Sequence, residues 1–237
     1  ARLLVAGSLS DSFDQQTISY NEPVLLKLNT SSGMVLNTRG YSSLSKDVVQ
    51  LYGMFFGSND EFHGYGNGLV HYGPGYLASC SVKSIGIFYS EYNSVRCAVD
   101  LLECQPSAGI GANHEWSVVV GGQSSNPSVE MTSYKSPEIY EMPDYQWPFI
   151  NTAGGSAITI FGDQFGPVQL SPYYEAINAH YGSERQWDLG LPWSVQSKSC
   201  QVVVAHVSIV CIVGEGTGHN HSWEVTVGGQ YSNRFAA

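Results

Sequence analysis

The chain of 237 residues has only 13% charged side chains, with 10 Lys and Arg against 20 Asp and Glu, for a net charge of −10. Holding a phosphate backbone needs the opposite sign, so the composition argues against nucleic acid as a partner, and sparse charge argues against a coiled coil or an acidic disordered tail. No apolar run approaches the roughly 18 to 20 residues of a membrane-crossing helix, and Leu3–Ala6 is too short for the core of a signal peptide.

Taken in order, the chain opens on a segment ending Thr17-Ile18-Ser19-Tyr20-Asn21-Glu22-Pro23. Short apolar runs follow, among them Val49-x-Leu51-x-Gly53-x-x-Phe56-Gly57 and the strip ending His71-Tyr72-Gly73, then Cys104 to Asn126, and then Val129 to Tyr134 leading into Lys135-Ser136-Pro137. From there the same signals return. Asn151-Thr152 answers Asn37-Thr38, Ile158-x-Ile160-x-Gly162-x-x-Phe165-Gly166 answers the Val49 run, and His180-Tyr181-Gly182 answers His71-Tyr72-Gly73. Cys211 to Asn233 lies over Cys104 to Asn126 without a gap, and thirteen of the 23 positions are identical. The chain is a tandem duplication.

Within each copy the apolar residues alternate, as in Trp116-x-Val118-x-Val120 and Trp223-x-Val225-x-Val227. That is the period of a half-buried strand. Gly, Asn, Ser and Pro clusters break the runs at intervals of about 8 to 12 residues, which predicts β-sandwiches. Gly53, Gly57, Gly162 and Gly166 are expected at bulges or positive-φ turns, and Gly121-Gly122 and Gly228-Gly229 in tight hairpins. The pattern Gly154-Gly155-Ser156-x-Ile158-Thr159-Ile160-x-Gly162-x-x-Phe165-Gly166, followed by Cys211-x4-Gly216-x-Gly218 and Val225-x-Val227-Gly228-Gly229-Gln230-x-Ser232, resembles the IPT/TIG domain, the immunoglobulin-like module of plexins and some transcription factors. The resemblance covers nearly all of the second copy; the first departs from it by an insertion between Gly57 and Cys97. It implies an all-β chain of two tandem immunoglobulin-like sandwiches used as spacers or binding modules, with no enzymatic activity.

Cys97 and Cys104 bracket one expected hairpin, and Cys200 and Cys211 another. The expected disulfides are Cys97–Cys104 and Cys200–Cys211, hence an oxidising compartment. Cys80 is left over, and the spacing equally allows it to pair with Cys97 and leave Cys104 free. Asn29-Thr30-Ser31 and Asn220-His221-Ser222 are N-glycosylation sequons, so covalent glycans at Asn29 and Asn220 belong to the same extracellular reading.

Catalytic and cofactor chemistry finds little footing. His219 and His221 lack a third clustered ligand, Ala112 stands for His219 in the first copy, and the shared His (His114 and His221) is expected to pack on the shared Trp. Asp60, Glu61 and His63 read as a solvated loop, and Gly109-x-Gly111 lacks the third Gly and the helix of a phosphate loop. No metal or cofactor is expected. Tyr72, Tyr76, Tyr89, Tyr92 and Tyr181 are candidates for an exposed sugar- or protein-binding face.

The two ends do not match. In the first copy Val129–Tyr134 reads as the final strand, whereas after Asn233 only Arg234, Phe235, Ala236 and Ala237 remain. The N-terminal Thr17 to Pro23 resembles Met131 to Pro137, a last strand with no domain before it. The expected organisation is a donor arm (residues 1–20), a first domain (21–136) and a second domain (137–237) lacking its own last strand. The expected function is a structural subunit of an extracellular filament whose partner is itself: the arm of one subunit completes the second domain of the next. Its expected contacts are Leu3, Leu4, Val5, Phe13, Ile18 and Tyr20. The alternative is a ligand-binding segment of a receptor or adhesin ectodomain.

Overall fold

The computed structural model describes residues 4–5, 8–9, 19–42, 44–58, 62–64, 68–89, 96–143, 150–168, 177–183 and 195–236. Leu3, Phe13 and Ile18 lie outside them, and of Leu4 and Val5 only the backbone is described, in a small antiparallel pair of β1 (Leu4–Val5) and β2 (Ser8–Leu9).

The first half contains β3 (Val24–Thr30), β4 (Val35–Leu36), β5 (Val49–Met54), β6 (Leu69–Tyr72), β7 (Tyr76–Tyr89), β8 (Arg96–Gln105), β9 (Trp116–Val120), β10 (Gln123–Ser124) and β11 (Ser133–Tyr134). Seven of them run in the order β10-β9-β6-β7-β8-β5-β3, and β11 pairs separately with β4. Strand β7 is shared: Tyr76 to Ala78 pair with β6, and Ser79 onward with β8. The second half contains β12 (Glu138–Glu141), β13 (Ala157–Asp163), β14 (Asn178–Ser183), β15 (Val195–Gln196), β16 (Ser199–Val204), β17 (Ser208–Ile212), β18 (His221–Val227), β19 (Gln230–Tyr231) and β20 (Phe235–Ala236). Here the same path is cut in two, β12-β13-β17-β16 and β15-β14-β18-β19. The architecture is all-β and sandwich-like, with one apolar core in each half.

Alternation does the sorting. Val49 and Leu51 on β5, Ile158 and Ile160 on β13, Trp116 and Val118 on β9, and Trp223, Val225 and Val227 on β18 are buried, while the residues between them on each strand face outward at least in part; Ser222, just before Trp223, is also buried. Burying each such side chain stabilises by about 1.5 to 3 kcal/mol. Gly53 and Gly162 sit at bulges, as expected: the edge strand shifts register between Leu25 and Lys27 opposite the first and between Ile139 and Glu141 opposite the second. Neither has positive φ; a Cβ there would land on the carbonyl oxygen of Val24 or Glu138, so the close approach of the edge strand requires glycine.

Two disulfides clamp neighbouring strands at matching places, Cys80–Cys104 across β7 and β8 and Cys200–Cys211 across β16 and β17. In both cases the cysteines are direct partners in the register. The expected Cys97–Cys104 pairing is therefore corrected. Both residues belong to the single strand β8, and an odd separation along a strand puts side chains on opposite faces. Cys97 instead pairs in register with Phe88, near the far end of a hairpin that continues past its counterpart in the second half. Non-reducing peptide mapping is expected to recover Cys80 linked to Cys104 and Cys200 linked to Cys211. Cys200→Ala with Cys211→Ala is expected to lower stability by about 2 to 4 kcal/mol in denaturant titration; a linked Cys97–Cys104 peptide would contradict this register.

Candidate functional site

Both halves carry the same stacked aromatic pair. Tyr72 lies flat on Trp116 at 4.1 Å between ring centroids, and Tyr181 on Trp223 at 4.1 Å. In the first half a third ring completes it. Tyr134, carried in by β11, is fully buried, and its ring meets Tyr76 at 5.7 Å and His114 at 5.5 Å edge-on. Its hydroxyl donates to the Ser107 carbonyl at 2.7 Å, so the Tyr72 hydroxyl, 2.7 Å away, donates into the Tyr134 oxygen. Burial pushes the Tyr72 phenol up to about 12. Strand β11 runs parallel to β4, with the Tyr134 amide donating to Gly111 O at 2.8 Å and the Lys135 amide to Leu36 O at 2.8 Å. Gly109 makes room for the ring: a Cβ there would sit 2.7 Å from Tyr134 Cε2.

The second half has the socket and, among the described residues, not the ring. A cavity of about 380 Å³ is lined by Val195, Gly216, Gly218 and His221, among others. Those four are the repeat counterparts of Tyr76, Gly109, Gly111 and His114, which surround or bond Tyr134 in the first half. Gly214 O, the counterpart of Ser107 O, accepts from Tyr181 at 3.2 Å. Trp116 Nε1 donates to Thr132 Oγ1 at 2.9 Å, whereas the buried Trp223 Nε1 has no partner among the described residues. The expectation that no strand follows Asn233 needs one correction. Phe235 and Ala236 form β20 against β18, but they reach only as far as Trp223 and Ser222. What no described strand supplies in this half is the counterpart of β11.

Tyr20 stands in relation to the first half as Tyr134 does to the second. Gln230 Nε2 donates to the Tyr134 carbonyl at 2.9 Å, and its repeat counterpart Gln123 Nε2 donates to the Tyr20 carbonyl at 3.2 Å. Yet Tyr134 is wholly buried and Tyr20 is 94% exposed.

The halves are joined by a polar lock. Thr38, fully buried, donates its amide and its hydroxyl to Gln164 Oε1, both at 3.0 Å. With that hydroxyl proton committed, His206 Nδ1 is the donor in the 2.8 Å contact with Thr38 Oγ1, which assigns the Nδ1–H tautomer. Arg39 pairs with Asp163 at 2.8 Å. Burial pushes the Asp163 carboxyl up, but the Arg39 bond and those from Gln164 outweigh it and hold it below the usual range. Ile110 reaches across into the second core.

Several expected site residues are placed differently. Tyr72 and Tyr181 are core residues and Tyr76 is partly buried, so they form no exposed binding face; the side chains of Tyr89 and Tyr92 lie outside the described residues. His114 meets the rings of Tyr72, Tyr76 and Tyr134, with Nε2 3.0 Å from Ile110 O. Asn29 and Asn220 are both exposed. Asp60 and Glu61 lie outside the described residues, and no group of three His, Cys, Asp or Glu suited to a metal occurs among those described. The Gln123 and Gln230 contacts were missed, although both glutamines belong to the repeated Gly-Gly-Gln signature.

His114, His180, His206 and His221 all have imidazoles held below their ordinary range, with burial as the largest cause. A lowered folded value means that the unfolded chain takes up protons first as the pH drops. Their contribution is complete above about pH 6.5 and is lost as the pH falls through the folded values. Denaturant midpoints are expected to fall between pH 7.5 and 5, and less steeply in His206→Gln; a midpoint constant over that range would contradict this.

No protein-family model and no curated protein matches the chain. Among solved structures, the surface glycan-binding protein PbSGBP-B from Prevotella bryantii is 12% identical, with a TM-score of 0.44 over 92% of this chain and 42% of its own. An SGBP-B from a xyloglucan utilization locus of Bacteroides uniformis is 12% identical, with a TM-score of 0.31 over 91% of this chain and 49% of its own. The Yersinia pseudotuberculosis adhesin InvE is 11% identical, with a TM-score of 0.37 over 90% and 58%. The chain thus spans about half the length of the structures it matches. Likeness this remote leaves function to be read from the site itself.

Proposed function

We propose that the chain is a non-enzymatic segment of an extracellular β-sandwich protein, built from two immunoglobulin-like units (residues 21–136 and 137–237) behind a donor arm (residues 1–20). Copies join head to tail when the arm of one places Tyr20 in the tyrosine socket of the second unit of another. The observation that carries this reading is the cavity of about 380 Å³ lined by the counterparts of the residues around Tyr134. An exposed tyrosine, already anchored by the counterpart glutamine, matches the ring that the socket lacks. Backbone pairing of an added strand supplies affinity and the ring supplies selectivity. Ile18, at the position of Thr132, gives Trp223 no hydroxyl, so in the joined form a backbone carbonyl has to accept from that indole. The two disulfides support an oxidising, extracellular setting.

Tyr20→Ala removes a side chain that is exposed within its own chain, so the monomer is expected to keep its stability while self-association weakens. Burial of one tyrosine contributes about 1.5 to 3 kcal/mol, or about ten- to a hundredfold in affinity. Sedimentation of the full chain and of Tyr20→Ala reads this directly, and a peptide of residues 11–22 is expected to block association and raise the stability of the second unit. If the full chain stays monomeric at high concentration and the peptide does not bind, or if residues beyond 237 in a longer chain fill the socket in cis, strand donation is wrong. Protein from its native source is expected to carry an N-glycan at Asn29 or Asn220 by peptide mass; both sites bare would leave the compartment resting on the disulfides.

A second reading, a ligand-binding segment of a surface receptor or adhesin, is favoured by a cavity of about 540 Å³ lined by His71, Asn113, Glu115, Ser117 and Gly228, among others. It agrees with the glycan-binding and adhesive roles named for the solved structures, whose likeness is too remote to add weight. Glycan binding lost on Glu115→Ala, with self-association unchanged, would support it.

A further inference from the structure

The lock between the halves buries Thr38, Ile110 and most of Arg39 of the first against Asp163, Gln164, His206 and Gly228 of the second. Each of these surfaces occurs twice in the chain, once covered and once open. At the far end of the second half, Thr152 answers Thr38, since Gly216 N donates to Thr152 O at 3.0 Å as Gly109 N does to Thr38 O at 2.9 Å. Ala153 answers Arg39, each donating its amide to the preceding Asn side chain, at 2.9 and 3.0 Å. Thr217 answers Ile110. All three are exposed where their counterparts are covered. At the near end of the first half, Met54 and Phe55 answer Asp163 and Gln164; Phe55 and Gln164 share a left-handed backbone, φ 66° and 63°. Gln164 is 6% exposed and Phe55 47%.

We propose that these two open ends are a second, rigid interface between copies of this chain, in which the near end of one first half stacks on the far end of another's second half. By repetition of the internal junction, Phe55 meets Thr152 and Met54 meets Ala153. Gly121 approaches Thr217 and Gly218, as Gly228 approaches Ile110 and Gly111, where a Cβ on Gly228 would lie 2.8 Å from Gly111 N. The chemistry differs between the two junctions. Inside the chain the contact is an ion pair and a threonine–glutamine–histidine chain; between copies it is Met54 and Phe55 on alanine and threonine. Joining of copies is therefore apolar and insensitive to salt, while the internal lock is polar.

The two ends also differ beside the junction. In the second half the turn between β16 and β17 closes at the junction, where His206 O accepts from Phe165 N at 3.1 Å. In the first half the Asp100 side chain accepts from Phe56 N at 2.8 Å in that place. The β7–β8 hairpin runs on from Ser84↔Leu101 to Tyr89↔Arg96, so a copy stacked on this end lies alongside that arm. The contact rests on the head-to-tail reading above but uses different residues from the tyrosine socket, so the two can fail separately.

The test transplants the internal ion pair. In the 237-residue chain, Met54→Asp alone and Ala153→Arg alone are each expected to weaken self-association at least tenfold by sedimentation. The double variant recreates the Arg39–Asp163 pairing between copies, and is expected to recover association at low salt and to lose part of that recovery in 1 M NaCl, because a pair about a quarter exposed is screened in part. Wild type is expected to associate equally at both. Phe55→Asn, which favours the left-handed backbone, is expected to weaken association without loss of fold by circular dichroism. Binding of the residue 11–22 peptide to the Tyr20→Ala chain is measured on every variant and is expected not to change. If the peptide binds and wild type associates, but neither the single variants nor Phe55→Asn weaken association, or the double variant gains no salt dependence, the end-on interface is overturned and strand donation stands. If neither peptide binding nor association occurs in any form, both fall.

Discussion

The fold depends on a problem of backbone accounting at the loop that follows the second cysteine of each half. The carbonyl of Ser107, and of Gly214 in the repeat, points into the core beside the stacked aromatic pair, and a buried carbonyl without a donor costs about 1 to 3 kcal/mol. A phenol solves this, because its ring is apolar enough for the core and its hydroxyl reaches the oxygen. Tyr181 serves both ends of that task, stacking on tryptophan and donating to Gly214 O, whereas in the first half Tyr72 stacks on tryptophan and Tyr134 donates to Ser107 O. Once the tyrosine is fixed, so is the register of β6 and β14 against β9 and β18, since ring and indole must lie face to face.

From this constraint follows the main difference between the halves. The Ser107 carbonyl accepts from Tyr134 at a shorter distance than the Gly214 carbonyl accepts from Tyr181, 2.7 Å against 3.2 Å. The third ring also lets two phenols share one proton chain and takes up the space over Gly109. The second half retains Gly216, the counterpart of the Gly109 that makes room for such a ring. A surface built to accept a tyrosine, together with a tyrosine that has nothing to cover it, is more informative about assembly than either is alone.

Much of this was legible in the sequence because duplication converts one reading into two. The identities from Cys104 to Asn126 exposed the repeat, and the Ser-Tyr-x-x-Pro echo at Tyr20 and Tyr134 marked the arm. The disulfide of the first half was not legible, because the length of a hairpin decides which cysteine lies opposite which, and β7 and β8 extend well beyond their counterparts. Tyr72 and Tyr181 were misread as surface, since tyrosine suits both a wet face and a hydrogen-bonded core. The lock escaped notice for another reason: Thr38 and Gln164 are 126 residues apart, and Gln164 answers Phe55, a residue of opposite character. Repeats reveal what is shared and conceal what each junction has changed.

The disulfides have a consequence for a chain under tension. Each joins adjacent strands inside one sheet, not the entry strand to the exit strand, so neither carries load while the fold is intact. Pulled from Pro23 toward Tyr134, the first half is loaded through β3 at one side and through β11, which lies parallel to β4 and so resists in shear. If that contact yields, the 24-residue separation between Cys80 and Cys104 and the 11-residue separation between Cys200 and Cys211 stay closed and cannot pay out as slack. The maximum stretch of a ruptured unit is thereby set by covalent chemistry. In the first half it also seals off the long β7–β8 hairpin, which would otherwise be the longest stretch of chain available to lengthen under force.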